Sequence, residues 1–385
     1  MSKLYDFILF ENQEGNINHY KDINIIARYL KSAGYSVAIA DVFAEAEHCK
    51  EPDVPHIIIK GHKSIDRTVR RFWNPSAWLH RHNRNQYYKS VIKQIAPLCN
   101  NIYAGSYHLT ISNTWIKTIP SNVNCFFWGL RSWWLCPSKI PKYSLNWFNA
   151  KKNLAIIKSL KNIKFFISDN SIINEFVELG FNRNRLVLRS ERFYNKDVIE
   201  ASSISNKSEL NILSIGSLRP DKRIELISNA VKHLGSSVCY TIAGVSSPEY
   251  EKVISSSMND ASNIRRIQRR LSEDEFVSLM VNADFLVLCD VKQPSSVTNG
   301  TMMEALMNGV PIIAPNYNPY QYYVEKYGVG ILFDPKENNS LENAIRCAIK
   351  LGKESFQANI RNLMKELTYE NIIEAFSNDL RNAII

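Results

Sequence analysis

In the first half of the chain, short apolar blocks alternate with longer segments whose apolar residues recur at helical spacing. The blocks predict strands at 5–11, 36–42 and 56–61. An amphipathic helix over 17–33 lies between the first two, behind a loop that carries Gly15. NIYAGSYHL (101–109) and NCFFWGL (124–130) read as further strands. A helix-rich stretch at 143–161 leads to the strand FFISD, the helix SIINEFVELG, which Gly180 closes, and the strand LVLRS. Strand, helix and strand in this order form the βαβ unit of a parallel sheet.

The polar, Ser-rich run ASSISNKS (201–208) reads as a linker, and the alternation then begins again. NILSIGSL, SVCYTIAG, DFLVLCD and VPIIAPN read as strands, and RIELISNAVKHLG and TMMEALMNG as helices ended by glycine. Ser272-Glu273-Asp274-Glu275 is a capping box that opens a helix after a strand near 263–268. The fold class expected is α/β, with two doubly wound, Rossmann-like domains over 1–200 and 201–368 and a last helix over 369–385. A chain of 385 residues is long enough for two such cores.

Charge adds a second layer. The net charge is +10, but it is unevenly placed: from 67 to 168 there is no Asp or Glu, and that window holds 16 Lys and Arg. All seven tryptophans fall inside it. A cationic, Trp-rich surface suits an anionic partner with an apolar part, an anionic membrane surface first among them. Core tryptophans beside a solvated basic face are the plainer alternative. The seven cysteines show no CxxC pair and no metal-like spacing, which suits reduced thiols. No apolar run reaches the length of a membrane span, and the apolar start of the chain is too short for a signal peptide. The location expected is cytoplasmic, peripheral to the inner face of the cell membrane. HExxH, GxSxG and Walker patterns do not occur, so protease, hydrolase and P-loop chemistry lack support, and no metal site is expected.

The segment QPSSVTNGTMMEALMNGVPIIAPN carries the most chemistry. A small-residue loop feeds a helix whose first amides and dipole favour an anion such as a diphosphate. Gly300 lets the backbone come close, and Glu304, one turn on, suits ribose hydroxyls.

Glu304-Ala305-Leu306-Met307-Asn308-Gly309-Val310-Pro311 resembles the donor-binding signature of the retaining glycosyltransferase family 4, the glycosyl transferases group 1, which have the GT-B fold of two Rossmann-like domains facing a cleft. The resemblance places Glu304 on the family's second, ribose-binding glutamate. The first glutamate, which contacts the donor sugar, falls on Ser296. SIGSLRPDKRIELI places Lys222 on the family's diphosphate lysine and Ser217 on its arginine, with Arg219 as a substitute. The donor-binding set implied is Gly15, Gly216, Ser217, Arg219, Lys222, Gly244, Ser296, Thr298, Asn299, Gly300, Thr301 and Glu304. The family's histidine in the first domain is replaced by Trp128 or its neighbours.

Glycosyl transfer from a nucleoside-diphosphate sugar, by default a UDP-sugar, is the activity implied, with retention of configuration and no metal or other cofactor. The acid-free window points to a lipid-linked saccharide acceptor in bacterial surface polysaccharide synthesis. Asp66, beside His62, is a candidate for the general base of an inverting mechanism, and His62, His108 and Arg131 are further catalytic candidates. Two other readings remain open: sugar transfer onto nucleic acid, for which no groove-reading motif is present, and a non-catalytic GT-B protein that binds a nucleotide sugar or a partner and serves a complex.

Overall fold

The computed structural model describes residues 3–11, 17–42, 51, 53–60, 75–106, 114–128, 142–168, 170–189, 209–259, 261–291 and 299–385. The chain forms two compact units, one of Met1–Glu191 with Ile372–Ile385, the other of Arg192–Asn371.

The first unit runs β1 (Tyr5–Leu9), α1 (Ile17–Ser32), β2 (Val37–Asp41), β3 (His56–Ile58), α2 (Pro75–Ile95), β4 (Cys99–Ser106), β5 (Asn124–Trp128), α3 (Leu145–Ser159), β6 (Ile163–Ile167), α4 (Asn170–Glu178) and β7 (Leu186–Leu188). Its sheet has the order β3-β2-β1-β4-β5-β6-β7 with every described pair parallel. Both faces of such a sheet are covered, which is why β6 is buried at every position and why its residues IKFFI do not alternate cleanly.

Helix α2 is absent from the sequence reading, where its residues passed as a basic stretch. Tyr88, Val91, Ile92 and Ile95 of this helix are buried, but in its sequence the polar run HRHNRNQ at 80–86 interrupts the apolar period. The tryptophan-rich surface also needs correction. Trp115 and Trp128 are 1% and 5% exposed and belong to the core, Trp115 packing against Phe10, Tyr88 and Phe127. Acid exclusion across 67–168 therefore covers core strands as well as a surface.

The second unit runs β8 (Leu210–Leu218), α5 (Ile224–Lys232), β9 (Val238–Ser246), α6 (Pro248–Ser257), β10 (Ile264–Ile267), α7 (Glu273–Val281), β11 (Phe285–Val287), α8 (Gly300–Met307), β12 (Ile312–Pro315), α9 (Tyr320–Tyr327), β13 (Gly330–Phe333), α10 (Ser340–Leu351) and α11 (Gln357–Glu366). Its six strands are parallel in the order β10-β9-β8-β11-β12-β13. The capping box forms as read: Ser272 Oγ accepts from the Glu275 amide, and Glu275 accepts from that of Ser272. None of the five described cysteines, at 99, 125, 239, 289 and 347, is in a disulfide.

The last helix, α12 (Tyr369–Ile384), returns to the first unit from Ile372 onward. Phe376 meets Tyr29 edge-on at 5.3 Å and Phe166 at 5.7 Å between ring centroids. Asp379 accepts from Arg183 Nη2 at 3.0 and 3.1 Å and from the Leu188 amide at 2.9 Å. Truncating this carboxylate leaves a partly buried amide without an acceptor. Asp379→Ala is therefore expected to destabilise the first unit by about 1–3 kcal/mol. Urea unfolding followed by tryptophan fluorescence checks this directly, since every tryptophan lies in that unit.

Candidate functional site

In the second sheet the chain order reverses between the neighbours β8 and β11. In doubly wound sheets the ligand crevice opens beyond the carboxyl ends of the strands at such a switch point. Gly216 lies in the last turn of β8 with φ +113°, and a Cβ there would lie 3.9 Å from the Thr301 hydroxyl oxygen. The first turn of α8 thus abuts the end of β8.

One carboxylate gathers the site, and the sequence reading missed it. Asp290 stands three residues past β11. Lys222 Nζ lies 2.9 Å from its Oδ1 and 3.1 Å from its Oδ2. Asn299 Nδ2 donates to Oδ2 at 2.8 Å, and the Tyr320 hydroxyl donates to the same oxygen. Asn299 Nδ2 also reaches the Tyr320 oxygen at 2.8 Å, while its Oδ1 caps α8 by accepting from the Met302 amide at 3.1 Å. Lys222 and Asp290 are 21% and 11% exposed, so the pair is shielded from solvent screening. The Tyr320 hydroxyl is held well above its usual pKa, by burial first and by Asp290 second, and so stays a donor. The Val291 amide donates to Asp221 O at 2.7 Å, joining the loop after β8 to the one after β11.

These contacts bring one ammonium and one helix N-terminus to the same place. Among the described residues the amides of Gly300 and Thr301 have no acceptor, as expected for the first turn of a helix. Asp290 offsets the lysine charge, so the attraction for an anion rests on the near approach of Nζ and on the oriented amides. Glu304, half-buried, shares the α8 face of Gly300 and Thr301 by its spacing of four and three residues.

Other residues in the expected set divide clearly. Arg219 turns back on its own loop, with Nε 3.0 Å from Asp221 Oδ1 and Nη2 3.1 Å from Oδ2, and does not join the Asp290 group. Ser217 is exposed at the end of β8. Gly244 pairs with Gly216 in the β8–β9 register. Behind them Arg266 is fully engaged, with Glu251 at 2.7 and 2.9 Å and with the carbonyls of Gly244, Ile242 and Ile267. Arg266 holds the Glu251 carboxyl below its usual pKa, against the opposing effect of burial. Gly15, Ser296 and Thr298 lie outside the described residues, as do His62, Asp66, His108 and Arg131. Among the described residues no group of three or more His, Cys, Asp or Glu is placed to hold a metal ion, and no helix is long and apolar enough to cross a membrane.

Two doubly wound parallel sheets of this order, in consecutive units closed by a helix that returns to the first, form the GT-B fold. Residues 195–366, most of the second unit, match the family model of the glycosyl transferases group 1. Similar solved structures include a glycosyltransferase from Rickettsia africae, with 13% identity, 99% of this chain and 100% of that one covered, and a TM-score of 0.65. The lipopolysaccharide outer core galactosyltransferase WaaB has 12% identity, 97% and 99% coverage and a TM-score of 0.67. HepE of Anabaena, in complex with UDP and glucose, has 14% identity, 98% and 99% coverage and a TM-score of 0.61. At these identities the likeness is one of fold. No curated protein sequence matches the chain.

Proposed function

We propose that the chain transfers a glycosyl group from a nucleoside-diphosphate sugar to a saccharide acceptor carried on a membrane lipid, in the synthesis of a bacterial surface polysaccharide. The observation that carries the donor half is the sharing of Asp290 by Lys222 and by the cap of α8, which aims an ammonium and free amides at one spot. Uridine is the expected base, supported by the UDP bound to the structurally similar HepE. The bond between the anomeric carbon and the diphosphate breaks, and a bond from that carbon to an acceptor hydroxyl oxygen forms. With same-face attack the hydroxyl proton passes to the departing phosphate oxygen, and configuration is retained. Lys222 and the amides of residues 300 and 301 balance the charge that develops on the leaving group, which leaves no step that calls for a metal. Glu304 takes the ribose hydroxyls. The first unit receives the acceptor, and the protein works at the cytoplasmic face of the membrane.

A thermal-shift panel of UDP-, GDP-, ADP- and TDP-sugars on wild type and Glu304→Ala tests this reading. At about one hundred times Kd a ligand of the native state adds about 2.7 kcal/mol of stability. One nucleotide is expected to raise the melting temperature of the wild type and to fail on Glu304→Ala. If no nucleotide sugar moves the wild type, the active-transferase reading gives way to a non-catalytic one.

A further inference from the structure

No residue of α3 belongs to the donor-site group around Asp290. Ala150, Asn153 and Ile157 turn inward and are buried, while Phe148, Lys151, Lys152, Ala155 and Lys158 are exposed. Their spacing of three and four residues puts the exposed set on one side of the helix. At the head of that side stand large rings: Tyr143 is 78% and Phe148 54% exposed, and half-buried Trp147 has Lys151 Nζ 4.0 Å above its ring. Among the described residues, none of the three lysines has a carboxylate within ion-pair distance, and the sequence from 67 to 168 supplies no acid at all.

We propose that this face of α3 is a docking surface for a bilayer that contains anionic lipid. Lysine stems lie along apolar surface and lift their ammoniums to headgroup phosphates, while aromatic rings enter the interfacial region. The charge on the face is complementary to an anionic leaflet and carries no opposing acid. A nucleic acid is the poorer match, because the face has no arginine to fork onto phosphodiesters. The inference rests on the membrane part of the proposed function and uses no donor-site residue, so the two fail separately.

The test is flotation of the full chain with phosphatidylglycerol-containing and with pure phosphatidylcholine vesicles, for wild type, Lys151→Glu/Lys152→Glu/Lys158→Glu and Phe148→Ser. Wild type is expected to bind the anionic vesicles and not the neutral ones. The triple variant is expected to partition about 100-fold more weakly, from a loss of roughly fivefold for each lysine. Phe148→Ser is expected to lose about fivefold, a loss that persists at high salt because it is apolar in origin. The proposal is overturned if wild type leaves the anionic vesicles unbound, if neutral vesicles bind as well, or if the triple variant floats like wild type. It is equally overturned if a single-stranded oligonucleotide displaces the vesicles from the wild type. Melting temperature and nucleotide-sugar shift are read on each variant. Absence of that shift alongside the expected flotation pattern would remove the donor reading and leave the docking surface standing.

Discussion

Lys222→Met is expected to lower glycosyl transfer about 10²–10³-fold at saturating donor, the size of effect typical when one preorganised group on a developing charge is removed. The ammonium is not a free surface charge. Asp290 fixes it from 2.9 Å, and Asp290 is itself fixed by Asn299 and Tyr320. A lysine held this way costs no reorganisation when charge moves onto the diphosphate, which is where the rate effect arises. Asp290 keeps two hydrogen-bond donors on Oδ2 but loses its cation, so the variant is also expected to lose some stability, and turnover is compared at a temperature where it is fully folded. Binding of the donor should weaken far less than turnover, since Glu304, proposed to hold the ribose, and the amides at the start of α8 are untouched. The measurement is kcat and KM side by side for wild type, Lys222→Met and Lys222→Arg, with melting temperature as the control. Turnover within about threefold of wild type would assign leaving-group stabilisation elsewhere.

The parts of this site that sequence reveals are those confined to one βα turn. Gly216, Lys222, Asn299 and Glu304 each sit at a fixed distance from a strand end or a helix start, and periodicity places those boundaries to within a residue or two. Asp290 escapes because its meaning is tertiary. It lies 68 residues from Lys222 and 30 from Tyr320, and only the return of β11 beside β8 brings them together. Arg219 shows a second kind of structural detail. Its spacing suits a ligand-binding arginine, yet Asp221 two residues away satisfies the guanidinium locally. In the first unit, βαβ alternation sufficed for the strands, but in α2 the polar run HRHNRNQ at 80–86 interrupts the apolar residues and hides the helical period.

The largest expected loss of stability comes from Gly244→Ala. At Gly244 φ is +128°, a backbone region that side chains rarely tolerate, and a Cβ there would stand 1.9 Å from Gly216 O and 2.9 Å from its carbonyl carbon. Neither strand end can step aside easily. β8 and β9 are paired along their whole length from Leu210 to Leu218, and Gly244 O is held by Arg266 Nη2 at 2.9 Å. Arg266 is in turn clamped by Glu251. Backbone strain of about 1–3 kcal/mol and overpacking of about 1–3 kcal/mol therefore add, for a total of about 4 kcal/mol. Gly235→Ala separates the two contributions: its φ of +58° carries strain, but nothing lies within 4 Å of the new Cβ. That variant should lose only about 1–2 kcal/mol. Chemical denaturation of both variants, followed by far-ultraviolet circular dichroism, gives the comparison. Because Gly216 abuts Thr301 at the start of α8, Gly244→Ala should also weaken nucleotide-sugar binding at temperatures where the unit is still folded. Equal losses for the two variants would mean that the ends of β8 and β9 do not approach closely enough to need glycine, and the crevice would then be shaped by α8 alone.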